Sequence, residues 1–294
     1  VNHRRDRAPG PASSSPPSQP EPWSAADFEL VANWLRGRGG LRLSPQRLSL
    51  LQARLQVRLR AQGVESFTQF HDTALRSRSG GPGMQLLIDL STVNHTSFFR
   101  EPGTLDFLAD RIAESLRGGT ARTARVWSAG CSAGQEPYSL VINIEERVPG
   151  LTPDRVEVLA SDLSLEILQV AARGVYDRRL LADISPERLR RYFLRGLGAR
   201  SGDVRVAPEV RRLVRFAHFD LLSADWPVPD QLDAVLCRNV AIYFDEPGRL
   251  TLLDRLARKL KPGGWLAVGS CEILPERAGL LEKVAPSIFR KSLT

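Results

Sequence analysis

The sequence has few of the residues from which covalent or metal-held frameworks are made. It carries three cysteines, Cys131, Cys237 and Cys271, in 294 residues. An odd count with no CxxC spacing argues against a disulfide framework and a zinc ribbon. Small buried thiols explain the three better than a thiolate cluster, so no metal is expected. Long apolar runs are also missing; none approaches the roughly 20 residues a membrane span needs. No apolar core segment stands near the N-terminus, so neither a signal peptide nor membrane insertion is expected. This cysteine usage fits a reducing, cytoplasmic location.

Positive charge, by contrast, is plentiful. The net charge is +8 and the pI about 10.0. That balance suits an acidic protein surface, a nucleic acid or an anionic substrate, and does not choose among them. Hydrophobic content of 42% is ordinary for a globular protein, with room for one large domain or two modest ones. Residues 1–22 stand apart. Their prolines interleave with serines, too little apolar surface to offset ordering, so a disordered tail is expected.

Residues 23–90 read as an all-helical N-terminal domain. Phe28, Val31 and Leu35 share one face of a helix over 25–38. Ser44 can cap a second helix with Pro45 at its first position. Leu48, Leu51, Leu55 and Leu59 recur along it, while Arg47, Arg54 and Arg58 project from another face. The region holds nine arginines against five acidic residues. A solvated basic face is the ordinary explanation. The sharper one is a docking surface for an acidic helical partner, which makes these three arginines candidate partner-binding residues. Gly80, Gly81, Pro82 and Gly83 then break the chain.

Residues 91–294 are organised around VWSAGCSAGQEPYS at 126–139. Val126, Trp127 and Ser128 end a short buried strand, Gly130 and Gly134 bracket a tight turn, and Glu136-Pro137 opens a helix. This strand, small-residue turn and helix N-terminus lets backbone approach a nucleotide-like cofactor. The spacing is not GxGxxG, so the turn alone is a weak signal. Val156–Ser161 is a second buried strand, ending at Asp162. An acidic residue there hydrogen-bonds ribose hydroxyls in doubly wound nucleotide folds. Ser164 is a separate cap for the next helix, with Leu165, Leu168 and Ala172 inward, which leaves Asp162 freer to be a ligand. Residues 175–215 interrupt the alternation. A helix over 186–192 leads into RGLGARSG, with strands at 204–206 and 214–216, read as an inserted small antiparallel β subdomain with a flexible loop around Gly196, Gly198 and Gly202. Its open edge can add a peptide strand. Further strands end at Asp220-Leu221-Leu222 and span 232–237 and 265–269. A helix over 246–261 turns Leu250, Leu253, Leu256 and Leu260 inward and stops at Pro262-Gly263-Gly264. Residues 287–291 close an edge.

Six stretches together resemble one family, the CheR-type chemotaxis receptor glutamate methyltransferases. They are TSFFRE (96–101), WSAGCSAGQEPYS (127–139), ASD (160–162), RYFLRG (191–196), LCRNVAIYFD (236–245) and LKPGGWLAVGSCE (260–272). The resemblance covers residues 25–291. It implies a class I S-adenosylmethionine-dependent methyltransferase, a Rossmann-like doubly wound α/β sheet preceded by a helical domain. The implied reaction esterifies glutamate side chains on chemoreceptor cytoplasmic helices, giving S-adenosylhomocysteine. It places Asn94, Thr96, Arg100, Gly130, Glu136, Asp162, Asp220, Leu221, Arg238 and Asn239 at cofactor-contacting positions. It also implies tethering of a receptor C-terminal tail peptide by the β subdomain, through strand addition beside Val204–Val206. A monomer is expected. Ala133 and Gln135 replace the family's usual Thr and Glu, Asp220 its Asn, and Ser270-Cys271 its His-Ser.

The substrate sets the chemistry. A glutamate carboxylate, with pKa near ~4.3, is already a nucleophile at neutral pH. No general base is needed, and no acid–base dyad stands out in the sequence. Arg100 and Tyr243 are the candidate catalytic residues, one to pair with a carboxylate and one to donate a hydrogen bond. Tyr243 can instead be a core aromatic. Two other classes stay in view. A nucleic-acid methyltransferase fits the charge, but the Asn/Asp-Pro-Pro-aromatic motif of amino-methylating enzymes is missing; the place holds Arg238-Asn239-Val240, and no nucleic-acid partner is expected. A cofactor-binding adaptor without turnover fits the departures at Ala133, Gln135, Asp220 and Ser270.

Overall fold

The computed structural model describes residues 45–61, 82–91, 96–118, 123–244, 246–272, 277–278 and 280–293, together with positions 26, 29, 33 and 70. The tail over 1–22 and most of the helix expected over 25–38 lie outside them.

Among the described residues the N-terminal domain contributes the helices α1 (Pro45–Ala61) and α2 (Pro82–Ser91). Leu51, Leu55 and Leu59 are buried on α1, as their spacing requires. The glycine-proline break is shorter than expected, because Pro82 and Gly83 already form the first turn of α2. Arg58 pairs with Glu166 of the larger domain at 3.1 Å, both side chains staying half exposed. Arg54 is half-buried, and the side chain of Arg47 lies outside the described residues.

The larger domain contains helices α3 (Pro102–Arg117), α4 (Gln135–Arg147), α5 (Leu165–Arg173), α6 (Pro186–Tyr192), α7 (Pro208–Arg211) and α8 (Glu246–Lys259). Its strands are β1 (Ala124–Ala129), β2 (Val156–Asp162), β3 (Val175–Asp177), β4 (Phe193–Arg195), β5 (Asp203–Val206), β6 (Val214–His218), β7 (Leu232–Cys237), β8 (Leu260–Val268), β9 (Arg277–Ala278), β10 (Leu281–Ala285) and β11 (Ile288–Lys291). The main sheet has the order β6-β2-β1-β7-β8-β11-β10-β9. Its first five strands run parallel and the rest antiparallel. Period-two alternation splits the core between the two faces. Val126 and Val158 join Leu105, Leu140 and Ile144 on one face, while Trp127 and Leu159 join Leu253, Leu256 and Leu266 on the other. Strand order reverses at β1, which pairs with β2 on one side and β7 on the other. In open α/β sheets that switch point leaves a crevice at the carboxyl ends.

Several expectations need correction. Val214–His218 is not part of the β subdomain; it pairs parallel with β2 and is the outer strand of the main sheet. No separate strand ends at Asp220, which lies two residues past β6. The small sheet is instead β3-β5-β4, so Val204–Val206 is its central strand, covered on both sides. Strand addition beside it is blocked; only β3 and β4 offer free edges among the described residues. The RGLGARSG loop is a hydrogen-bonded turn: Gly196 N–H donates to Asp203 and Ser201 N–H to Gly198. Glycine is required at 196 by close packing, since a Cβ there would sit 2.0 Å from the Arg200 carbonyl oxygen. Pro262-Gly263-Gly264 is not the stop of the helix. α8 ends at Lys259, and the three residues form an irregularity inside β8 between the pairs Leu232–Leu260 and Ala234–Trp265. β11 is internal, between β8 and β10. On α5 the buried positions are Leu168 and Ala171, with Leu165 and Ala172 exposed; on α8, Leu252 turns inward and Leu250 is exposed.

Candidate active site

The carboxyl ends of β1, β2 and β7 open into a cavity of about 340 Å³. Small-molecule sites are commonly about 300 Å³ or larger. Thr96, Arg100, Gly130, Glu136 and Asp162 line it from one side. Asp220, Leu221, Arg238, Asn239 and Tyr243 complete the wall. Asn94 lies outside the described residues. Residues separated by well over a hundred positions therefore converge on one space, because the sheet brings its carboxyl ends together.

Gly130 has φ +80°, and a Cβ added there would meet Val240 Cγ2 at 2.4 Å. Only glycine lets the turn after β1 pass under the segment after β7. Asp162 is less free than its sequence context implied. Its Oδ2 accepts from Ser132 N–H at 2.8 Å and its Oδ1 from Ser164 N–H at 3.0 Å, although Ser164 itself caps α5 through Ile167 N–H. The carboxylate thus shapes the glycine turn as well as lining the cavity. A carboxylate has about four lone-pair sites, so acceptor capacity remains for a ligand. Burial raises its pKa, and the backbone donors act against that rise.

Arg238 is the buried hub of the wall, its side chain 2% exposed. It donates to Glu136 Oε2 at 3.1 Å and to the Arg100 carbonyl at 2.7 Å, and lies 3.0 Å from Glu101 Oε2. Glu136 also accepts from Ser128 Oγ at 2.8 Å. Burial pushes the Glu136 pKa up, while Arg238 and Ser128 pull it down. For Glu101 burial would raise the pKa, but Arg238 and Ser270 hold it below the ordinary value. Phe99 and Glu101 both adopt positive φ, 53° and 52°. That strained turn is held by Phe99 N–H donating to Ser139 Oγ and by Phe98 packing edge-on against Tyr176 of β3 and Phe193 of β4. The small sheet therefore braces the loop that carries Arg100.

Two structural roles were not legible in the sequence. Glu272, buried, accepts from the backbone N–H groups of Asn239 and Ile242 and so pins the segment bearing Asn239 and Tyr243. Its pKa is raised by burial against those donors. Ser270 Oγ donates to Glu101 Oε1 at 2.9 Å, joining two sides of the cavity mouth. A carboxylate straight after the last parallel strand was the available signal for Glu272; its partners lie too far back in the chain to be guessed. Among the described residues no cluster of His, Cys, Asp and Glu could hold a metal ion. Cys131 and Cys237 are buried, and Cys271 is exposed at the cavity.

Residues 94–289 match the family described as CheR methyltransferase, SAM binding domain, and residues 26–89 match CheR methyltransferase, all-alpha domain. The chain belongs to the CheR methyltransferase family. Chemotaxis protein methyltransferase 2 of Pseudomonas aeruginosa is 35% identical over 268 residues, covering 91% of this chain and 93% of that one. Chemotaxis protein methyltransferase of Salmonella typhimurium is 37% identical over 249 residues, covering 85% and 84%. The Escherichia coli protein of the same name is 37% identical over 249 residues, covering 85% of each chain. This CheR-family chain is accordingly a class I S-adenosylmethionine-dependent methyltransferase of chemotaxis adaptation, with an all-helical N-terminal domain and a small antiparallel sheet inserted in the larger one. The cavity fits that cofactor. Asp162 and Asp220 are acceptors for hydroxyl and amine donors, Arg100 is a cation for a carboxylate, and Leu105, Phe219 and Leu221 supply apolar wall. No helix among the described residues is long and apolar enough to cross a membrane.

Proposed function

We propose that this enzyme methylates glutamate side chains on the cytoplasmic helices of chemoreceptors, with Arg100 and Tyr243 positioning the reacting carboxylate. One observation carries the reading. No histidine or lysine is found among the described residues of the cavity wall, and its carboxylates Glu136, Asp162 and Asp220 each already accept from Arg238, Ser128 or backbone N–H groups. A site without a general base suits a nucleophile that is already ionised. When bound, S-adenosylmethionine supplies a methyl group activated by its sulfonium. Asn94, Thr96, Glu136, Asp162, Asp220, Leu221, Arg238 and Asn239 are assigned to holding it, with Gly130 allowing close approach. The chain's own work is to orient the carboxylate in line with the methyl and to exclude water.

Radiolabelled methyl transfer to a receptor cytoplasmic fragment tests this. The product should release methanol in alkali, as an ester does and a methylated amine does not. Tyr243→Phe is expected to lower kcat about tenfold and Arg100→Ala about a hundredfold, with the fold intact. Alkali-stable product would sink the glutamate assignment. Tight S-adenosylhomocysteine binding without any product would favour the adaptor reading.

We also infer tethering of a receptor C-terminal tail, now along the outer edge of β4 rather than beside β5. Tyr192 C=O and Gly196 N–H face β5, so by period two Arg195 turns its N–H outward. Leu194 and Leu197, 52% and 84% exposed, flank that edge. Arg195→Pro removes the outward donor and is expected to abolish binding of a labelled tail peptide. An unaffected titration would end the proposal. Gly196, Gly198 and Gly202 belong to the turn beside that edge as candidate tail-binding positions, while Arg47, Arg54 and Arg58 are proposed separately as a docking face for an acidic receptor helix.

A further inference from the structure

We propose that Arg255, which lies outside the cavity, is the positioning residue for the cofactor-contacting wall formed by the loop after β6. The inference rests on the cofactor reading given above. The wall is the loop after β6, which contributes Phe219, Asp220, Leu221 and Leu222 to the cavity. It has little regular structure of its own. Leu222 N–H donates to Asp220 Oδ1 at 2.8 Å and Ser223 N–H to the Asp220 carbonyl at 3.1 Å, a local turn only. Beyond that turn its carbonyls point to α8.

Arg255 collects them. Its NH1 donates to the Leu221 carbonyl at 3.1 Å, and its NH2 to those of Ser223 at 2.6 Å and Ala224 at 2.9 Å. The guanidinium also stacks over the Trp226 ring, 3.9 Å from its centroid. Trp226 in turn donates its indole N–H to the same Leu221 carbonyl at 3.2 Å and packs edge-on against buried Trp127 of β1. One turn further along α8, Lys259 donates to the Val228 carbonyl at 2.9 Å. The loop is therefore fastened from behind, and Arg255 is its main fastening. A planar fork with five fixed donors can hold three carbonyls and a ring at once; an ammonium group cannot. Positive charge beside Asp220 is a second effect of the same side chain. The two effects are separable, because a lysine keeps the charge and loses the fork.

The experiment is calorimetric titration of wild type, Arg255→Lys and Arg255→Met with S-adenosylhomocysteine, together with methyl-transfer kinetics on a receptor fragment. The dissociation constant and the KM for S-adenosylmethionine should rise about tenfold or more in both variants, the worth of one charge-assisted hydrogen bond. The KM for the receptor fragment and kcat at saturating cofactor should stay within about twofold. Wild-type affinity in Arg255→Lys would overturn the proposal, since charge alone would then suffice. An equal loss in receptor KM and kcat would overturn it too, because general damage would be the cause. Should Arg255→Met fail to fold, the lysine variant decides alone. If the wild type binds no S-adenosylhomocysteine, it is the cofactor reading that fails, and the titration shows this before any variant is made.

Discussion

Asp162→Asn is expected to weaken S-adenosylhomocysteine binding by about a hundredfold. The carboxylate stands at the end of β2, buried in the cavity wall, with both oxygens already accepting one backbone N–H each. Its remaining lone pairs are what a ribose diol would meet. Two charge-assisted hydrogen bonds lost or reversed correspond to about 3 kcal/mol, or two powers of ten. An asparagine keeps only one acceptor oxygen, so the turn at Ser132 also loosens; a melting curve taken alongside separates that cost from the binding loss. Burial raises the Asp162 pKa. As pH falls through that raised value the acceptor gains a proton, so wild-type affinity should decline above the pH at which an ordinary aspartate, near ~3.9, would titrate. Asp220 is shifted in the same direction by burial, so the variant should keep a shallower decline. The sign for stability is opposite. A carboxyl whose folded pKa lies above its unfolded value costs stability when ionised, and that cost is relieved as pH falls through the folded pKa. Weaker binding in mild acid without a parallel loss from Asp162 to stability is the expected signature. Wild-type affinity in Asp162→Asn would remove Asp162 from the cofactor site.

The parts of the fold that were legible are those whose cause is local. Small residues after a buried strand announce the turn at Gly130, Ser164 announces a cap, and residues 158–160 are apolar because both faces of a parallel strand are covered. β6 reads in the sequence as a subdomain strand for a physical reason: it is the outer strand of the main sheet, so Arg215 is exposed and the segment alternates like a hairpin strand. The start of β8 is hidden in the sequence because Pro-Gly-Gly ordinarily ends an element, whereas here β8 bulges around it and then resumes its pairing with β7. The cavity wall was legible as a set of residue types, but its internal pairing was not. Arg238 reads as a cofactor contact in RNVAIYF; nothing near it shows that its partners are Glu136, 102 positions away, and the carbonyl of Arg100, 138 positions away. Likewise Arg255 reads as an ordinary basic position on an amphipathic helix until its three carbonyl partners are seen.

Arg238→Met should be the most destabilising single change in the site. The guanidinium is almost fully buried and neutralises two carboxylates, Glu101 and Glu136, while holding the Arg100 carbonyl. Methionine fills much of the volume and leaves those carboxylates without a counter-charge. Breaking a buried pair from one side costs about 3–5 kcal/mol, larger than the worth of the pair itself, because the partner's desolvation goes uncompensated. In a domain of this size that lowers Tm by on the order of 10 °C. Adding Glu136→Gln should recover part of the loss, since one of the orphaned charges is then gone; no recovery would mean that packing rather than charge dominates. A Tm within about a degree of wild type for Arg238→Met would overturn the hub assignment. The consequence for catalysis follows from the same contacts. Glu101 and Phe99 hold strained positive φ angles on either side of Arg100, and Arg238 fastens that turn by its carbonyl. Released, the turn would relax toward ordinary backbone and carry Arg100 away from the cavity. Methyl transfer should therefore fall by more than the loss of folded protein accounts for, even at temperatures where the variant is still native.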